Sequence, residues 1–261
     1  MKTVILAGGL GTRLAEETQL RPKPMVEIGG EPILIHIMRI YAAARLRDFV
    51  VLCGYRGDII KTYFSDYYLN HSDVEIDLSN GETRYLNSFA EDWKVTIVDT
   101  GQATLTGGRL KRAAKYVGSE TFAMTYGDGL SDVDIRGLVA FHKSHGKLAT
   151  VLAVPSPGRF GILDLDDSEV VRFHEKPDNE LGYINGGFFV LEPSVLDYID
   201  GDATTWEREP LERLAADGQL QAFKHHGFWR PMDTLRDKME LDKMAGTGSP
   251  PWVRKSVRDN G

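Results

Sequence analysis

Four apolar residues, Val4-Ile5-Leu6-Ala7, run without alternation and stop at Gly8-Gly9. An unbroken apolar run this short has no face to offer water, so it predicts a strand buried on both sides of a mainly parallel sheet. Parallel strands need crossover helices, and the chain supplies them in rotation. From Ile33, apolar residues recur at Ile37, Ile40, Tyr41 and Ala44, a helical period, and residues 49–53 read as the next strand. A second cycle runs through a helix over 58–68 and, after a polar insertion around 79–91, a strand over 94–98. In the third, Leu110, Ala113, Ala114 and Val117 mark one helical stripe, and a strand over 122–125 leads into Gly127-Asp128-Gly129. The alternation predicts an open α/β sheet with its ligand in the crevice at the carboxyl ends of the strands.

The second half is more mixed. A helix over 134–146 leads into strands over 149–154, 160–165, 170–174 and 183–191, with an antiparallel excursion among them. Residues 193–199 and 210–217 read as helices, 220–223 as a strand and 234–244 as a last helix, broken by Gly246 to Pro251. No internal repeat, low-complexity tract or linker interrupts the 261 residues, so one domain is expected, with a tail over 246–261 that is loose or packs on a neighbour.

Charge and cysteine content narrow the partners. A net charge of -7 gives no general attraction to nucleic acid or to an anionic membrane surface, and an anionic substrate needs a local positive pocket. Cys53 is the single cysteine, which excludes an intrachain disulfide and fits a reducing cytoplasm. No apolar run reaches the roughly 18 residues that span a bilayer, and the opening segment is interrupted too soon by glycines to be expected as a signal region.

The segment Gly8-Gly9-Leu10-Gly11-Thr12-Arg13-Leu14 carries the most chemistry. A dinucleotide GxGxxG fails because Leu14 stands where the third glycine belongs, and a P-loop fails because no Gly-Lys-Ser/Thr occurs. What is left is a glycine loop at a strand end, whose backbone N–H groups can approach phosphate oxygens. A tight turn alone would also explain the glycines. Arg13 and Lys23 add positive charge, and Lys23 stands between Pro22 and Pro24 on a constrained, non-helical backbone.

Leu6-Ala7-Gly8-Gly9-x-Gly11-Thr12-Arg13 with Pro22-Lys23-Pro24 resembles the signature of the sugar-1-phosphate nucleotidylyltransferases. Glu16-Glu17-Thr18, residues 25–30, Thr106-Gly107-Gly108-Arg109 and residues 227–234 resemble the glucose-1-phosphate cytidylyltransferase branch, and the likeness covers nearly the whole chain. The resemblance implies a Rossmann-like, mixed but mainly parallel central sheet flanked by helices, with a nucleotide-binding half over about 1–130 and a sugar-binding half over about 131–245. It also implies the substrates CTP and glucose 1-phosphate, the cofactor Mg²⁺, and a cytoplasmic homo-oligomer such as a hexamer, serving surface-polysaccharide biosynthesis such as O-antigen.

Site residues follow from the same resemblance. Leu6, Ala7, Gly8, Gly9, Gly11, Thr12, Arg13, Lys23, Thr104, Arg109 and Gly127 are implied nucleotide contacts, with Arg13, Lys23 and Asp128 catalytic. Asp128 and Asp233 are implied metal ligands, a pair in keeping with the carboxylate-and-phosphate sites of Mg²⁺. Read without the family, Asp128 is also explained as a turn residue, Asp233 as a helix N-cap before Thr234, and Arg109 as a solvent-facing helix charge. Gly161, Glu175, Lys176 and Asn185 are implied on the sugar-phosphate side, although Asn185-Gly186-Gly187 is also explained by a bulge. His142 and His145 have no third ligand and read as a helix surface, His225 and His226 as the two faces of a strand, and Tyr63, Phe64, Tyr67 and Tyr68 as core or subunit contact. Two other readings stay open: a UTP- or dTTP-dependent enzyme of the same family, and a non-catalytic nucleotide-sensing module.

Overall fold

In a computed structural model, which describes residues 1–156, 162–174 and 182–253, the main sheet contains β1 (Thr3–Ala7), β2 (Asp48–Cys53), β3 (Lys94–Asp99), β4 (Phe122–Tyr126), β5 (Ala149–Pro155), β6 (Ile162–Asp166), β7 (Glu169–His174), β8 (Tyr183–Leu191) and β9 (Leu220–Lys224). β1 is buried along its whole length and pairs in parallel with β2 on one side and β4 on the other, with Ile5 opposite both Val51 and Thr125. β3 continues in parallel beyond β2. On the far side β8 runs antiparallel to β4, β5 antiparallel to β8, and β9 parallel to β5, while the β6–β7 hairpin pairs with β8 and β9. The result is the mixed, mainly parallel sheet expected from the sequence.

Strand periodicity sorts β1 onto two cores. Ile5 and Ala7 face the layer formed by α1 (Ile33–Ala43), with Ile33, Ile37 and Tyr41 fully buried against them. Val4 and Leu6 face the other layer, where Leu110, Trp206, Leu211 and Leu214 pack. Each fully buried aliphatic side chain contributes roughly 1.5–3 kcal/mol, so β1 is fixed from both sides. Its end is therefore a rigid base for the glycine loop. β2 and β3 lie on one side of β1 and β4 on the other, so the strand order reverses at β1, and a crevice opens where Gly8 and Asp128 leave the sheet.

Departures from the expected elements have local causes. The polar insertion folds as a hairpin, Ser72–Asp77 against Glu82–Ser88, held by backbone pairing with the second strand exposed at every residue. Residues Pro193–Tyr198 form a 3-10 helix in place of the expected α-helix. The tail returns to its own chain as far as Val253: Trp252 is buried, lies edge-on to His36 and packs beside Phe228. His142 is buried rather than on a helix surface. It sits on the inner stripe of α2 (Ile135–His145) with Ile135 and Leu138, where its ring bonds Thr150 Oγ1 at 2.8 Å and Glu192 Oε1 at 3.1 Å.

Candidate active site

The turn after β1 is built by short side chains and reciprocal bonds. Gly11 adopts φ +64°, open to glycine at little cost, and a 3-10 turn Thr12–Leu14 follows. The Thr18 hydroxyl bridges the Gly11 and Leu14 carbonyls, each at 3.0 Å, which closes the loop from below. Gly9 and Thr12 are exposed on its open side.

Lys23 occupies a 3-10 turn, Lys23–Met25, entered from Pro22 in an extended conformation. Its ammonium donates to Asp128 Oδ2 at 2.6 Å and to Asp233 Oδ1 at 2.8 Å. Arg13 Nη1 donates to the other oxygen of Asp233 at 3.0 Å from a side chain that is 72% exposed. Burial disfavours the Lys23 charge, but the two carboxylates outweigh it and hold the lysine above its ordinary value, so it is cationic throughout the physiological range.

Backbone pairing explains how residues so distant in sequence converge. Gly127 N–H donates to the Leu6 carbonyl at 3.0 Å, tying the exit of β4 to β1; a Cβ at Gly127 would lie 2.8 Å from Pro24 and 2.9 Å from that carbonyl. The strand Gly129–Ser131 pairs antiparallel with Trp229–Pro231, and Met232 N–H donates to the Asp128 carbonyl at 2.8 Å. Asp233 thus arrives beside Asp128. It does not act as the N-cap of α3 (Leu235–Ala245). Thr234 takes that place in a capping box with Asp237, which leaves the Asp233 carboxylate for Lys23 and Arg13.

Two carboxylates directed at one cation are a suitable donor set for Mg²⁺, which combines one or two carboxylates with substrate phosphates and water. The ammonium of Lys23 now holds the position between them. Among the described residues no group of three or more His, Cys, Asp or Glu side chains converges, so an all-protein metal cage is absent there.

Arg109 is buried, not a solvent-facing charge. It lies on α4 (Thr106–Arg112), where Nη1 donates to the Cys53 carbonyl at 3.1 Å, Thr100 Oγ1 at 2.7 Å and the Gly101 carbonyl at 2.8 Å; Nη2 donates to the Gly8 carbonyl at 3.0 Å. The guanidinium pins the ends of β1, β2 and β3 together, and a Cβ on Gly8 would overlap it. Burial lowers its affinity for the proton, with no carboxylate bonded to it among the described residues. Thr104 is buried beside Gly101.

On the opposite wall, Asn185 Oδ1 accepts from Gly187 N–H at 2.8 Å, and its Nδ2 donates to the Tyr126 hydroxyl at 3.2 Å. The β5–β8 register shifts here, and Trp229 Nε1 donates to the Gly186 carbonyl at 2.7 Å, so a bulge is present and Asn185 also faces the cleft. Gly161, Glu175 and Lys176 lie outside the described residues. Sequence reasoning assigned no role to Tyr126, Glu207 and Trp229, which also line the cleft; Trp229 stands within the family-like segment 227–234, whereas Tyr126 and Glu207 sit in no quoted motif and only the fold brings them there.

The cleft over these groups has a volume of about 540 Å³ and is lined by Leu6, Ala7, Gly8, Gly9, Gly11, Thr12, Arg13, Lys23, Thr104, Arg109, Gly127, Asp128, Asn185 and Asp233, among others. That volume suits a nucleotide-sized ligand. Arg13, Lys23 and the glycines share this cleft with Tyr126, Asn185, Glu207 and Trp229.

Residues 2–238 match the family model described as nucleotidyl transferase. A glucose-1-phosphate cytidylyltransferase of Salmonella typhi is 56% identical over 97% of this chain and 98% of its own length. A probable glucose-1-phosphate cytidylyltransferase of Bacillus subtilis is 45% identical over 97% of this chain and 99% of its own. Among solved structures, HddC from Yersinia pseudotuberculosis superposes with a TM-score of 0.74 at 25% identity, covering 93% of this chain and 98% of that one.

Proposed function

The chain belongs to the nucleotidyl transferase family, and on that premise we propose that it transfers the cytidylyl group of CTP to α-D-glucose 1-phosphate, giving CDP-glucose and pyrophosphate. A phosphate oxygen of glucose 1-phosphate attacks the α-phosphorus in line. The new oxygen–phosphorus bond forms as the bond to the bridging oxygen breaks, and the electron pair leaves with pyrophosphate. The nucleophile is already an anion, so no general base is required.

What the chain contributes is position and charge. Gly8, Gly9 and Gly11 line the cleft with Leu6, Ala7, Thr12 and Gly127 beside them, and their backbone N–H groups would meet the phosphates. Lys23 and Arg13 neutralise phosphate charge; Thr104 and Arg109 shape the nucleotide wall. Asn185 serves the sugar phosphate together with Gly161, Glu175 and Lys176. Asp128 and Asp233 would hold Mg²⁺, which when bound supplies charge neutralisation at the phosphates. The observation that carries the reading is the Lys23 ammonium clamped between Asp128 and Asp233 at the mouth of the glycine loop, because it gathers the charges such a transfer needs in one place. We place the protein as a homo-oligomer in the cytoplasm; the exposed Leu78, Leu86 and Phe89 around the hairpin support self-association.

The test is pyrophosphate release with glucose 1-phosphate and each of CTP, UTP, dTTP, ATP and GTP, with and without Mg²⁺. Metal-dependent turnover led by CTP is the expected result. Turnover led by UTP or dTTP overturns the base assignment, and silence with all five overturns the reaction.

A further inference from the structure

The cleft holds a third carboxylate that the chemistry at Lys23 does not use. Glu207 is carried by a segment fastened to the start of α4: Leu105 N–H donates to the Asp202 carbonyl at 2.9 Å and Gly107 N–H to the Thr204 carbonyl at 3.0 Å. Trp206, fully buried, donates its backbone N–H to the Thr106 hydroxyl at 2.9 Å. That leaves the hydroxyl's own proton for Glu207 Oε2, at 2.6 Å. The hydroxyl of the partly buried Tyr126, which accepts from Asn185, lies near the same carboxylate; burial first, and then the Glu207 charge, keep its proton in place.

The neutral Thr106 hydroxyl thus aims Glu207, with the Tyr126 hydroxyl beside it, and no lysine or arginine among the described residues pairs with it. A carboxylate has about four lone-pair positions, so the Thr106 hydroxyl leaves acceptor capacity on a side chain that lines the cleft. An unpaired anion beside bound phosphate would be repulsive. Glu207 therefore belongs to a part of the cleft where the substrate presents hydrogen-bond donors. We propose that Glu207 is the acceptor against which a donor-bearing edge of a substrate is set, either the exocyclic amine of the base or a hydroxyl of the sugar, with Thr106 and Tyr126 as its positioning residues. This rests on the transfer reaction proposed above. Cytosine presents an N4 amine where uracil presents a carbonyl oxygen, so a carboxylate at that edge would favour CTP and repel UTP.

The experiment is Glu207→Gln, which keeps an acceptor for Thr106 and replaces the other oxygen with a donor. Steady-state kinetics with CTP, UTP and glucose 1-phosphate are compared with the parent protein, alongside thermal midpoints. If the base amine is the donor, the CTP-to-UTP ratio of kcat/KM falls at least about tenfold, a change of about 1.4 kcal/mol, while the KM of glucose 1-phosphate holds. If a sugar hydroxyl is the donor, the KM of glucose 1-phosphate rises by about as much and the base ratio holds. A variant with the parent's ratio and KM, or one that loses only kcat, overturns the proposal. Thr106→Val, which frees the carboxylate without removing it, is the second variant if Glu207→Gln does not fold; it should shift the same parameter in the same direction, and parental behaviour overturns the proposal. A parent protein silent with every nucleotide brings down the transfer reaction and this inference together, whereas an unaffected variant of an active parent brings down this inference alone.

Discussion

Replacing Lys23 with Met keeps the length and packing of the side chain but removes its charge. The parent lysine sits 2.6 Å from Asp128 and 2.8 Å from Asp233, and its side chain is 12% exposed. Two carboxylates around one nitrogen are about 5 Å apart, and at an effective dielectric of about 20 their repulsion is about 3 kcal/mol once the ammonium is gone. Water entry and the remaining contact of Arg13 with Asp233 reduce this, so the expected loss of stability without metal is roughly 1–3 kcal/mol. Mg²⁺ should restore more stability to Lys23→Met than it adds to the parent, because in the variant it meets two uncompensated carboxylates. Turnover should fall for a different reason. Removing one preorganised charge from a transition state costs about 2.7–4 kcal/mol, a factor of about 10² to 10³. Calorimetric midpoints with and without Mg²⁺ and pyrophosphate release with CTP measure the two effects separately. Turnover within about tenfold of the parent, only about 1.4 kcal/mol, would refute the role given to Lys23, and an equal Mg²⁺ shift in both proteins would refute the account of the carboxylates.

Arg109→Lys should lower the urea midpoint and raise the KM for CTP, because a single ammonium cannot reach the Cys53, Gly101 and Gly8 carbonyls and Thr100 together; a parental midpoint and KM would show that the guanidinium braces nothing. A pH effect is expected from the histidines of α2. Burial, then the charges of His142 and Lys147, take His145 down to about 4, and burial lowers His142 against the pull of Glu192. With folded values below the unfolded value of about 6.5, the unfolded chain binds more protons between them, so stability is full above about pH 6.5 and is lost as pH falls toward about 4. Allowing for partial exposure of His145, its share is roughly 1–2 kcal/mol. Urea midpoints at pH 7 and pH 5 should therefore differ less in His145→Asn than in the parent, and an identical difference in both would exclude this source.

The sequence was most legible where the cause of structure is local. β1, β2 and β4 are short apolar runs because both faces of each strand are covered, and that requirement shows in three to five consecutive residues. The hairpin at Ser72–Ser88 left no such trace, since its second strand buries nothing and is specified by backbone pairing. His142 had a readable signal, its place on the stripe of Ile135 and Leu138, which outweighs its polarity once Thr150 and Glu192 satisfy the ring. Asp233 had one too, because the Thr234 and Asp237 pair takes the cap and releases the preceding carboxylate. The bracing role of Arg109 had none, although its motif marked it for the cleft, and Glu207 had none at all: their partners lie up to 101 residues away, and only the fold brings them close.

The Lys23 cluster joins residues 105 and 210 positions apart, and its assembly poses an electrostatic problem before any substrate arrives. Asp128 leaves β4 and Asp233 precedes α3, so the fold itself forces the two carboxylates together. Without a cation between them the empty cleft would store their repulsion. Lys23, fixed by its flanking prolines, supplies that cation from the protein. In the proposed reaction Asp128 and Asp233 would hold Mg²⁺, leaving the Lys23 ammonium for phosphate. A residue that neutralises the two carboxylates while no metal stands between them, and is then released to the substrate phosphate, serves both states from one position, which is a physical reason for a lysine at the centre of this cleft rather than at its rim.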